Sequence, residues 1–130
     1  MADILYIVIP CFNEEEVLTE TTMRLTEKMR KMMESGKIAD SSRILYVDDG
    51  STDSTWHLID RLYMDNGLVT GIKLSRNKGH QNALLAGLFE ATDHADMIVS
   101  MDSDLQDDID VLDSFIDEYY NGSEIVYGVR

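Results

Sequence analysis

Residues 97–108 read MIVSMDSDLQDD, with carboxylates at Asp102, Asp104, Asp107 and Asp108 directly after the apolar run Met97 to Met101. Like charges this close repel, so the cluster calls for a positive partner. Asp102-Ser103-Asp104 has the Asp-X-Asp spacing. At a strand end this lets two carboxylates reach one hard divalent cation, Mg²⁺ or Mn²⁺, which takes oxygen ligands and completes its shell with phosphates and waters. By itself the tripeptide suits a solvated turn or a helix cap better than a metal site.

Two further polar clusters follow apolar strands and tip the balance towards a metal site. PCFNEEE occupies 10–16 after the first strand, and DDGSTD occupies 48–53 after the second. In a parallel sheet all three clusters lie along the carboxyl edge, where open α/β sheets bind ligands at the point of strand-order reversal. One of Asp48 and Asp49 suits a tight turn, with Ser51 or Asp53 capping the next helix. The other is placed to accept hydrogen bonds from a nucleobase or ribose. Arg76, Lys78 and His80 are the cations near this edge. They suit either a solvated loop or contact with a phosphate.

The elements that would position these groups alternate between strand and helix, the pattern of a parallel sheet covered by helices. Ile4 to Ile9 is continuously apolar and β-branched, as a strand buried on both faces should be, and Pro10 is expected to stop it. Asn13 with Glu16 resembles a capping pair, opening a helix whose inner face carries Leu18, Leu25, Met29 and Met32 up to about Gly36. A strand at Arg43 to Val47 precedes a helix from about Asp53 with Trp56, Ile59 and Tyr63 on one face, ended by Asn66-Gly67. A strand at Val69 to Leu74 leads to a helix carrying Leu84, Leu85, Leu88 and Phe89. The strand Met97 to Met101 precedes a helix at about Ile109 to Tyr120 and a last strand at Glu124 to Tyr127. Right-handed crossovers make 3-2-1-4 the simplest strand order, with Asn13 and Glu14 facing Asp102 and Asp104 across a crevice between strands one and four.

The chain has 130 residues, enough for one domain that buries roughly two thirds of its unfolded surface. A formal net charge of −14 argues against a nucleic-acid partner, because phosphates would be repelled. An anionic ligand therefore needs a metal or a local cationic patch. Cys11 is the single cysteine, so no intrachain disulfide forms and a reducing compartment, the cytoplasm, is the natural setting. Cys11 itself reads as a small, semi-buried hydrophobe. Neither a signal peptide nor a run of roughly 20 apolar residues is present, and the chain is expected to be soluble.

The motifs PCFNEEE, VDDGSTDST, SRNKGHQNALLAGL, MDSDLQDD and YGVR occur in an order that resembles family 2 glycosyltransferases, across essentially the whole chain. The resemblance implies an inverting enzyme with a GT-A fold, a Rossmann-like, mostly parallel α/β sheet. The Arg-Asn-X-Gly loop and the Ala/Leu-rich helix after it resemble the branch that moves a sugar from a UDP- or GDP-linked donor to a polyprenyl phosphate. Carried over by motif, Pro10, Phe12 and Glu14 resemble residues around the nucleotide, and Asp49 with Asp48 resembles the acid holding base or ribose. Asp102 and Asp104 match the metal and diphosphate site at the catalytic centre, with Gln106 as a further ligand. Arg76, Lys78 and Arg130 are expected to meet phosphate or acceptor. The family usually carries Lys or Arg near His80, and two prolines where this chain has Asp108-Ile109. The first departure bears on phosphate affinity in that loop, the second on the rigidity of the next helix start.

Such enzymes run well beyond 130 residues, so the resemblance implies that 1–130 is the nucleotide-sugar-binding portion, without the acceptor half. The complete protein is expected at the cytoplasmic face of a membrane, held there through its C-terminal part. Association as a homo-oligomer is left open. Two other classes also use acidic strand ends. A haloacid dehalogenase-like phosphatase would make Asp102 a nucleophile and Asp104 an acid, but it expects Thr or Val where Gln106 stands. A non-catalytic regulatory domain of the response-regulator kind places its acidic pair after strand one, whereas Asp48-Asp49 follows strand two.

Overall fold

The computed structural model describes residues 2–103, 109, 111–122 and 128–129. Strands and helices alternate as β1 (Leu5–Cys11), α1 (Leu18–Glu34), β2 (Arg43–Asp48), α2 (Thr55–Asp65), β3 (Val69–Lys73), α3 (His80–Thr92), β4 (Met97–Met101), α4 (Val111–Tyr120) and β5 (Gly128–Val129). The sheet is parallel in the order β3-β2-β1-β4-β5, which contains the expected 3-2-1-4. Every residue of β1 is buried, because it is central in the sheet and covered on both faces.

Pro10 does not stop β1. The strand stays in register with β2 through Pro10↔Val47 and Cys11↔Asp48, while its ladder with β4 ends at Val8↔Ser100. Successive residues of a strand direct their backbone groups to alternate sides, and the Cys11 carbonyl accepts the Asp49 N–H on the β2 side. Pro10, which has no N–H, therefore faces the side where the β4 ladder has already ended.

Two cores flank the sheet. Leu18, Leu25, Met29 and Met32 of α1, Ile59 of α2, and Leu112 and Ile116 of α4 pack on one face. Burying each of the larger side chains contributes roughly 1.5–3 kcal/mol. On the other face Val8, Leu45 and Val47 meet α3 through Ala83 and Ala91. Of the apolar residues expected on α3, Leu84 and Leu88 pack against this core, whereas Leu85 and Phe89 are 61% and 82% exposed, and the fully buried stripe is Ala83, Gly87 and Ala91. Small residues let this helix approach closely. A Cβ on Gly87 would lie 2.4 Å from Val8 Cγ1 and 2.8 Å from Val47 Cγ2. On α2, Ile59 is buried, but Tyr63 faces solvent.

Asn13 and Glu16 do not cap α1, which starts at Leu18 with Val17 at the N-cap and no side-chain cap bond. Residues 14–17 form a turn closed by the Val17 N–H on the Glu14 carbonyl, and Asn13 is used elsewhere. The α4 end of the domain is held by polar contacts. Asp113 accepts from Lys28 and, at 3.1 Å, from Lys37. The Tyr119 hydroxyl donates to Asp3 at 2.8 Å, and the Tyr120 hydroxyl donates to the Lys37 carbonyl at 2.7 Å. The strand expected at 124–127 lies outside the described residues; Gly128 and Val129 pair with Ser100 and Met101 of β4. Among the described residues no helix is long and apolar enough to cross a membrane.

Candidate functional site

Three loops converge at the carboxyl edge. Asn13 takes a left-handed φ of 53°, a conformation its short polar side chain tolerates better than most. Its Oδ1 accepts the Thr52 N–H at 2.9 Å, and its own N–H donates to Ser51 Oγ at 2.9 Å. The Glu14 N–H donates to Thr55 Oγ1 at 2.8 Å, and the Ser54 N–H donates to Glu15 Oε2 at 3.0 Å. The loop after β1 is thereby stitched to the loop after β2. Asp53, rather than Ser51, closes the start of α2 by accepting the Thr55 N–H and hydroxyl at 2.8 and 2.5 Å. Partial burial opposes ionisation of Asp53, but the Thr55 bonds outweigh it and hold its pKa below the ordinary carboxylate value.

Asp49 joins the third loop. Its carboxylate accepts the Lys78 N–H at 2.7 Å and the Gly79 N–H at 3.1 Å, which brings the segment between β3 and α3 over the end of β2. Asp49 is only 3% exposed, so these charge-assisted bonds form where water competes little. At the end of β4, the Ser103 carbonyl accepts the Thr21 hydroxyl of α1.

The loops enclose a cleft of about 350 Å³. The end of β1 contributes Pro10, Cys11, Phe12 and Glu14 to it, and β2 contributes Asp49. Asn77, Gly79 and His80 enter from the loop before α3, with Asp102 and Ser103 closing the β4 side. Of the residues singled out in the sequence, Pro10, Phe12, Glu14, Asp49, His80 and Asp102 therefore come together. Asp48 lies beneath, fully buried beside Cys11; its Oδ2 accepts the Ser51 N–H at 3.4 Å, and its Oδ1 has no hydrogen-bond partner among the described residues. Arg76 and Lys78 are exposed on the converging loop but outside the cleft lining. Asp104, Gln106 and Arg130 lie outside the described residues.

Asn77 and Gly79 were legible as part of the Arg-Asn-X-Gly loop but not as cleft lining, because the Asp49 bonds that bring their loop in span some thirty residues. Cys11 lines the cleft but is not a nucleophile in waiting: burial first, then the Glu14 and Asp48 charges, push its thiol pKa well up. Among the described residues no group of three His, Cys, Asp or Glu side chains is placed to hold a metal ion.

A parallel sheet with helices on both faces and an acidic cleft at the carboxyl edge, where strand order reverses, defines a doubly wound α/β ligand-binding domain. The chain belongs to Glycosyl transferase family 2, whose profile matches residues 6–130. It is 54% identical over 127 residues to the uncharacterized glycosyltransferase YkoT of Bacillus subtilis, covering 98% of this chain and 38% of that protein. It is 32% identical over 126 residues to the bactoprenol glucosyl transferase of Shigella phage SfX, covering 95% of this chain and 38% of that protein. The chain thus spans well under half the length of these relatives. The S. aureus TarS 1-349 structure in complex with UDP superposes with a TM-score of 0.62 at 20% identity, covering 94% of this chain and 38% of that one. At that identity the likeness is one of fold. Family membership leaves the phosphatase and response-regulator readings without support.

Proposed function

We propose that residues 1–130 form the nucleotide-sugar-binding portion of an inverting glycosyltransferase that moves a sugar from a UDP- or GDP-linked donor to a polyprenyl phosphate. The observation that carries this reading is the cleft itself, which gathers Glu14, Asp49 and Asp102 from three separate strand ends in a family 2 chain. Bactoprenol glucosyl transferases among the relatives support the acceptor, and a TarS structure in complex with UDP-GlcNAc supports the donor class.

In this reading Asp49, with Asp48 behind it, takes the base or ribose, using carboxylate lone pairs that the loop amides leave over. Phe12, 42% exposed at the cleft, offers a ring face for the nucleotide, and Pro10 and Glu14 shape the wall beside it. Asp102, with Asp104 and Gln106 after it, would hold Mg²⁺ or Mn²⁺. The described residues fit such an ion in their chemistry, since Glu14, Asp49 and Asp102 bring carboxylate oxygens to the cleft. A site with few protein ligands is also what Mg²⁺ usually takes when substrate phosphates complete its shell. When bound, the ion neutralises charge that develops on the leaving diphosphate.

The acceptor phosphate oxygen attacks the anomeric carbon from the face opposite the diphosphate. A new C–O bond forms as the donor C–O bond breaks, and its electron pair leaves with the nucleoside diphosphate, which gives inversion. The acceptor is already anionic, so no general base is required. Arg76 and Lys78, outside the cleft lining, suit steering of that anionic acceptor more than grip on the donor, with Arg130 as a further phosphate contact. The complete protein would work at the cytoplasmic face of the membrane that holds its acceptor.

Calorimetry of UDP and GDP binding, with Mn²⁺ and with EDTA, tests the proposal. One nucleotide should bind only when metal is present, and Asp102→Asn should remove most of that gain. Binding that is indifferent to EDTA, or absent for both nucleotides, overturns the reading.

A further inference from the structure

Two adjacent threonines sit inside α1, at positions 21 and 22, both at most 3% exposed. β-Branched residues weaken a helix, and a buried hydroxyl must find an acceptor. Helical Thr hydroxyls commonly turn back to the carbonyl four residues earlier. Neither of these does so. Thr22 Oγ1 pairs with the Tyr46 hydroxyl at 2.6 Å, inside the core under α1. Thr21 Oγ1 reaches out of its helix to the Ser103 carbonyl at 2.5 Å, across 82 positions of chain.

The Ser103 carbonyl belongs to the middle residue of the Asp-X-Asp motif. The β1 ladder ends at Ser100, and the β5 pairing ends at Met101, so the backbone that follows has left the sheet. Among the described residues, the Thr21 bond is the one that ties this backbone to another element. Holding the Ser103 carbonyl restrains the backbone that carries its neighbour Asp102 at the end of β4. Thr21 does not itself line the cleft, whereas Asp102 and Ser103 do.

Resting on the reading of Asp102 as a metal and diphosphate ligand, we propose that Thr21 is a positioning residue: its hydroxyl holds the backbone just after β4 and thereby sets how the Asp102 carboxylate is presented to the metal–diphosphate pair. Its neighbour Thr22, which has the same chemistry but points into the core, serves stability alone. Outer groups that orient metal ligands commonly change metal affinity by roughly 10–100-fold when removed.

The test compares Thr21→Val, Thr21→Ser and Thr22→Val in the 130-residue chain. UDP and GDP affinity is measured with and without Mn²⁺, beside thermal unfolding. Thr21→Val should lose roughly 10–100-fold of the Mn²⁺-dependent gain in affinity. Thr21→Ser, which keeps the hydroxyl, should restore that gain. Thr22→Val should lower the melting temperature and leave the gain intact. The proposal is overturned if Thr21→Val keeps the wild-type gain, if Thr21→Ser is as impaired as Thr21→Val, or if Thr22→Val loses the gain equally. Should Thr21→Val not fold, Thr21→Ala carries the same expectation. If neither folds, the role of Thr21 is structural and the proposal fails. A wild-type chain with no metal-dependent gain overturns the functional reading itself, a result distinct from all of these.

Discussion

Gly50 and Asn77 meet backbone to backbone: a Cβ on Gly50 would stand 2.3 Å from the Asn77 amide nitrogen and 2.4 Å from the Arg76 carbonyl carbon. Gly50 also has a φ of +72°, where side chains are rarely accommodated. The loop that brings Asn77, Gly79 and His80 to the cleft can dock on the end of β2 because residue 50 has no side chain. Next to it, the Asp49 carboxylate binds the amides of Lys78 and Gly79. Contact and hydrogen bond together fix one wall of the site.

Gly50→Ala should therefore act twice, through backbone strain and through displacement of the docked loop. A loss of roughly 2–3 kcal/mol in urea unfolding is expected, together with weaker nucleoside diphosphate binding by the folded fraction. A change below about 0.5 kcal/mol would mean that the loop gives way freely.

Gly87→Ala probes the core between α3 and the sheet rather than the cleft. The new methyl would press on Val8 and Val47, which are stiff at χ1 and buried in the sheet. Overpacking of this kind costs about 1–3 kcal/mol. Nucleotide affinity should be unchanged, since the site residues lie at the sheet edge. Calorimetry beside chemical denaturation checks both halves of the expectation.

These two glycines also show where the sequence was legible. The bounds of β4, the parallel order and the three polar strand ends follow from apolar runs and from the handedness of crossovers, which are local or general signals. The packing of α3 was hidden, because Ala83, Gly87 and Ala91 carry little hydrophobic signal while Leu85 and Phe89 carry much and remain exposed. The start of α1 was misplaced because Asn13 spends its side chain on Thr52 across the loops rather than on its own helix. That Glu14, Asp49 and Asp102 gather at one edge was readable from their strand ends. His80 was legible as a cation near this edge, but whether it or Asn77 lines the cleft was not, since only the Asp49 latch reveals which side of their loop faces inward.

Stability in acid should depend on Asp113. The Lys28 hydrogen bond is the main cause holding its carboxyl below the ordinary value; burial opposes this, and Lys37 adds to it. A depressed folded pKa contributes stability that is present above the unfolded value of about 3.9 and lost as pH falls through the folded value. The Asp113 side chain is 34% exposed, so solvent screening keeps the contribution within about 1 kcal/mol. Asp113→Asn should lower the melting temperature slightly at neutral pH, and the gap to wild type should close only as the pH falls from about 4 through the lower folded value. Asp53, also held below the ordinary value by its Thr55 bonds, is common to both proteins, so the difference between them is the quantity to read. Parallel curves from pH 7 to pH 2.5 would show that the Lys28 contact contributes nothing.

Asp49→Asn separates the two duties of that carboxylate. Both oxygens accept backbone N–H groups, and the same group lines the cleft. An amide keeps one acceptor oxygen but turns an NH₂ towards the second N–H, so one loop bond is lost. A hydrogen bond to a charged group contributes about 1.5–3 kcal/mol, equivalent to roughly 10–100-fold in an equilibrium constant. Amide exchange at Lys78 and Gly79 should therefore speed up by a factor of that order, while the β2 amides keep their protection. If Asp49 also receives the base or ribose, nucleoside diphosphate affinity should fall further than that of inorganic diphosphate with Mn²⁺, because only the former loses a direct contact. Equal losses for the two ligands would place Asp49 at the phosphates. Faster exchange with both affinities unchanged would leave it as a loop latch alone, and the base or ribose would then have to be held by other residues of the cleft.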